Sequence, residues 1–114
     1  MGLKFTLAIV AMSLLATTQA ARSEYVTGYD LSKWCQENNA GAVGYVLGVY
    51  DGFTTAQRYT DRPDLRSCVA PEVSRGQLYE VACKYTRDNP QTWHLSASSI
   101  VWSAFHDAFP CNSD

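Results

Sequence analysis

Between Tyr29 and Phe109 the apolar side chains recur mostly at spacings of three and four, the period of one helix face, and hardly anywhere at the alternation of a strand. The pattern predicts an all-α chain, a small four-helix bundle with helices at roughly 29–38, 41–57, 74–89 and 91–109. The first carries Leu31, Trp34 and Cys35 on one side, and the second shows Val43, Val46, Leu47, Val49, Tyr50 and Phe53 as a broad apolar arc. In the third, Leu78, Val81, Ala82 and Tyr85 fall at i, i+3, i+4 and i+7, and Ser74 with Gln77 three residues on forms a capping-box start. Asn89-Pro90 closes that helix, because a residue before proline is pushed out of the helical region, while proline itself suits the first turn of the next.

Two helices carry patterns that a plain bundle does not explain. Around the fourth, Trp93, Leu95, Ala97, Ile100, Val101, Trp102, Ala104, Phe105, Ala108 and Phe109 cover more than half the circumference, leaving Ser96, Ser99, Ser103, His106 and Asp107 as the polar strip. A helix on the edge of a bundle needs a stripe of only about 100°. Such breadth means a central helix or a face shared with a second subunit, and the smallness of the domain favours the shared face. On the second helix, "GYVLGVYDGF" holds Gly44, Gly48 and Gly52 four residues apart, flanked by Tyr45 and Asp51. Each helical glycine costs about 1 kcal/mol against alanine, so the three need a reason. A phosphate loop would need a strand before it and a lysine after it, and a membrane dimer seam does not accommodate Asp51. The remaining reading is a groove into which another helix packs, with Asp51 serving the fold, and a partner's loop in the groove is the lesser alternative.

Composition then narrows the class. Residues 1–20 have one basic residue, Lys4, an apolar run and a small-residue close at Ala20, the layout of a cleaved secretory signal with no stable membrane anchor. That leaves 21–114 as a single domain. Without Lys4, eight basic side chains face eleven acidic ones, a balance that argues against nucleic acid and anionic lipid and suits a protein partner. Four cysteines in a small exported domain read as two disulfides. Helices three and four, joined by almost no loop, form a hairpin that brings Cys68 to Cys111, which leaves Cys35 for Cys83. No metal site, cofactor site or catalytic residue is expected: oxidised cysteines are not nucleophiles, His94 and His106 lack the carboxylates of an acid–base pair, and His94 reads as a bonded helix-start residue. The polar stretch from Gln57 to Arg66 is the candidate contact loop, with Arg58, Tyr59, Asp61, Arg62, Asp64 and Arg66, since Tyr and Arg are favoured at interface hot spots.

Taken in order, Gly44, Tyr45, Gly48 and Asp51, then Cys68 and Pro71, then Gly76, Gln77 and Leu78, Tyr85, Pro90, His94 and Ala97, and finally Phe109, Pro110 and Cys111 form a pattern. It resembles the Rap/Tai immunity family of type VI secretion systems, which includes the amidase-immunity proteins. The resemblance implies a helical, dimeric, non-catalytic periplasmic protein that binds and blocks a secreted toxin, often a peptidoglycan amidase. Ala42 stands near the place where many members carry a cysteine, and Cys83 is additional. The Cys35–Cys83 pairing resembles instead the layout of HdeA-like periplasmic acid chaperones, which makes an acid-stress chaperone the alternative.

Overall fold

A computed structural model describes residues 25–63 and 66–112; the secretory segment at 1–20 and the contact candidate Asp64 lie outside the described residues. Four helices follow in order: α1 Gly28–Glu37, α2 Ala40–Tyr59, α3 Arg75–Asp88 and α4 Ala97–Ala108. α1 starts at a reciprocal cap. The Thr27 hydroxyl accepts from the Asp30 N–H, and the Asp30 carboxylate accepts from the Thr27 N–H at 2.9 Å and its hydroxyl at 2.8 Å. It ends at Asn38, which adopts the left-handed conformation (φ 48°, ψ 45°) that asparagine tolerates better than most residues. Asn39 at once caps α2, accepting from the Gly41 N–H at 2.7 Å. Two adjacent asparagines thus stop one helix and start the next. α3 opens on the Ser74–Gln77 capping box read from the sequence.

The fourth helix departs from its expected span. After Asn89 the chain makes a short 3₁₀ turn at Pro90–Thr92, turns again, and enters α4 only at Ala97, with Ser96 as N-cap. The cause is competition for the backbone. Gly28 and Tyr29 donate to the carbonyls of Leu95 and Trp93 at 2.9 and 3.0 Å, and the Ala97 N–H donates to Val26, so residues 93–96 are engaged by the start of α1 through the Thr27–Ser96 bridge. Trp93 and Leu95, placed on the helix from their period, belong to this connection.

α4 packs against each of the other three helices. Ala97, Ile100, Val101, Trp102, Ala104 and Phe105 are all buried on it. The breadth of its apolar arc is therefore satisfied within one chain, and the inference of a shared face from that breadth is corrected: three helices closing on the fourth give it a centre. Aromatic contacts fix α2 to α4, with Phe53 stacked on Trp102 at 4.3 Å and Tyr50 edge-on to Phe105 at 5.9 Å. Both expected disulfides are present. Cys35–Cys83 joins α1 to α3 inside the core, and Cys68–Cys111 joins the α2–α3 connection to the segment after α4. Spanning 48 and 43 residues, each contributes on the order of 4 kcal/mol in a loop-entropy account.

Candidate functional site

With its inner side committed to α3 and α4, α2 turns Gly44, Gly48 and Gly52 to solvent. A Cβ built at any of the three meets no atom within 4 Å. Among the described residues no helix fills this groove, because the aromatic contacts of Tyr50 and Phe53 and the buried Ala42 and Val46 orient α2 by its opposite side. Asp51 shares the outward side. It is exposed and, among the described residues, its side chain forms no hydrogen bond or ion pair, in contrast with the role in the fold expected for it. It is the only charged residue over positions 40–57. Tyr45 does serve the fold: half-buried, it meets Trp34 edge-on at 5.8 Å, and burial pushes its phenol above the ordinary value while Ser98 opposes the shift by hydrogen bonding.

Beside Asp51 the surface folds inward. A cleft of about 470 Å³ opens between α2 and the chain leading into α3, with Leu47, Val73 and Leu78 among its apolar lining and Asp51 and Arg75 as its charged groups. Its outer wall is the stretch just after Cys68, held by the disulfide to Cys111, by the Cys68 N–H donating to the Phe109 carbonyl at 2.8 Å, and by a turn in which Val73 donates to Ala70.

The candidate contact residues divide between helix and loop. α2 runs on to Tyr59, two residues past its expected end, so Arg58 and Tyr59 sit on its last turn, and Tyr59 is 84% exposed. Asp61, Arg62 and Arg66 are exposed in the connection, with Arg66 and Asp61 3.7 Å apart as a solvent-facing ion pair. The Arg66 carbonyl accepts from His106 Nδ1 at 3.0 Å, which anchors that end of the connection to α4 and sets the proton on Nδ1. His94 lies in the turn before α4, exposed and without a side-chain hydrogen bond, so the bonded helix-start role expected for it does not hold. Gly76 is exposed in the first turn of α3, Gln77 closes its cap, Pro90 opens the 3₁₀ turn, and Pro110 is exposed beside Cys111.

One structural residue escaped the sequence reading. Gly28 opens α1 so close to the connection that a Cβ there would lie 2.4 Å from Ile100 Cδ1 and 2.5 Å from Trp93 Cα. Only its place right after the Thr27 cap hinted at a role.

The surface offers exposed charged and aromatic side chains, types favoured at protein contacts, on a helical frame held by two disulfides. Residues 27–111 match the family of Rap1a immunity proteins, and the chain belongs to that family, whose members neutralise toxins. No curated protein and no solved structure matches it.

Proposed function

We propose that this protein is exported to the periplasm and there binds and neutralises a type VI secretion effector that attacks the cell wall, a peptidoglycan amidase being the first expectation. It acts by stoichiometric binding, not turnover, and as a homodimer. The observation that carries the reading is the family match, which spans all four helices and includes all four cysteines. Two disulfides that leave no free cysteine suit an oxidising compartment. The apolar leader at 1–20 supports export.

The contact surface proposed first is the segment with Arg58, Tyr59, Asp61, Arg62, Asp64 and Arg66, because it combines an exposed aromatic ring with arginines. The test is to search the flanking genes for a small secreted hydrolase and titrate the protein against it by calorimetry. Arg58→Ala with Tyr59→Ala should weaken Kd by at least about tenfold, the scale of a hot-spot loss, while Tm stays within about 2 °C because both residues are exposed. An unchanged Kd removes the segment from the interface. Protection of cells that direct the hydrolase to their own periplasm tests the function itself. Suppression of client aggregation at acid pH without such protection would instead support the acid-chaperone alternative, whose disulfide layout the Cys35–Cys83 bond resembles.

A further inference from the structure

The cleft beside Asp51 has three properties that together define an occupant. It is concave, and its volume of about 470 Å³ lies within the roughly 300–1,000 Å³ of ordinary binding clefts, so what enters it must protrude. Two copies related by a two-fold axis through this patch would set cleft against cleft and leave both empty. Its apolar lining includes Leu47, Val73 and the buried Leu78, and it is flanked by one carboxylate and one guanidinium, both exposed and neither in an ion pair. Unpaired charges of opposite sign lining one cleft together with apolar side chains ask for a segment that brings a base to one, an acid to the other and an apolar side chain with them.

The cleft is also formed in advance. Its outer wall is fixed on one side by Cys68–Cys111 and on the other by the Ser74 cap, so little ordering is left for the moment of binding. Access from α2 is open: Gly48 and Gly52, three residues before Asp51 and one after it, put no side chain beside the carboxylate.

We propose that this cleft seats a protruding segment of the neutralised toxin, with Asp51 receiving a basic side chain and Arg75 an acidic one. The proposal rests on the toxin-binding reading and adds to it a second contact, separate from Arg58 and Tyr59. Calorimetry with the secreted hydrolase sought among the flanking genes, on wild type, Asp51→Lys, Asp51→Asn and Arg75→Glu, decides it. Each charge reversal should raise Kd by at least about tenfold, with Asp51→Asn in between, and the losses should shrink as salt screens the pairs. Both side chains are exposed, so Tm should move by no more than about 2 °C. Full binding by both charge-reversed proteins would overturn the cleft and leave toxin binding standing. A wild type that does not bind the hydrolase would overturn both. A change in oligomeric mass on Asp51→Lys with toxin affinity intact would make the cleft a seam between copies, which also overturns the proposal.

Discussion

Adding one methyl group should have opposite effects at Gly28 and at Gly48. At Gly28 the new Cβ would fall 2.5 Å from Trp93 Cα and 2.8 Å from its carbonyl oxygen, backbone atoms held in place by the Tyr29 N–H. Backbone cannot swing away as a side-chain tip can. Gly28→Ala should therefore destabilise by about 1–3 kcal/mol, the usual range for overpacking. At Gly48 the same methyl meets open space, and alanine is a better helix former, so Gly48→Ala should stabilise by about 0.5–1 kcal/mol. Even Gly48→Leu should leave stability unharmed. Urea unfolding of the variants measures the differences, and a loss of stability at Gly48 would mean that the groove is covered. The sequence could not separate the two glycines. Gly28 is crowded by a residue 65 positions away, and although the apolar arc of α2 marks its core side, nothing local to "GYVLGVYDGF" tells whether another helix covers the glycines opposite.

Helices were legible where their cause is local. Ser74 and Gln77 lie three residues apart and cap each other, and Leu78, Val81, Ala82 and Tyr85 mark one face by period alone, so α3 differs from its expected span by one residue at each end. The start of α4 was not legible, because the apolar period runs straight through Trp93 and Leu95 while their carbonyls are taken by α1. Ser96 and Ser99 did hold a weaker hint of the true cap. The cap of α1 brings a pH dependence at this scale. Hydrogen bonds from the Thr27 N–H and hydroxyl hold the Asp30 carboxyl below its ordinary value, with Lys33 adding a smaller pull in the same direction. A lowered folded-state value means that the contribution is full above the ordinary carboxylate value, near 3.8, and is lost as pH falls through the lower folded one. Asp30→Asn should therefore cost stability at neutral pH, and its deficit against wild type should narrow as pH drops below about 4. Denaturant unfolding followed by circular dichroism at pH 7, 5 and 3 tests this. A constant deficit would show that the carboxylate charge contributes nothing.

At the scale of the whole molecule the disulfides were legible although one premise for them was not. The expected hairpin had almost no loop, whereas eight residues separate α3 from α4. The pairing survives because α3 and α4 still pack side by side, which keeps the chain before α3 next to the chain after α4. The two bonds then differ by position. Cys35 and Cys83 are 8% and 2% exposed inside the core, whereas Cys68 is exposed and Cys111 only half-buried. Thiol–disulfide exchange needs an attacking thiolate to reach a sulfur, so access orders the reactions. In limiting dithiothreitol, Cys68 and Cys111 should become available to alkylation well before Cys35 and Cys83, as read by peptide mass spectrometry. Helical circular dichroism should persist at that stage, because the outer bond joins segments that lie outside all four helices. Toxin affinity should fall at the same stage, since the wall of the Asp51 cleft begins one residue after Cys68 and loses its anchor. If the two bonds open together, the outer segment is held by packing as tightly as the core, and the bond to Cys111 is not what keeps the cleft in shape.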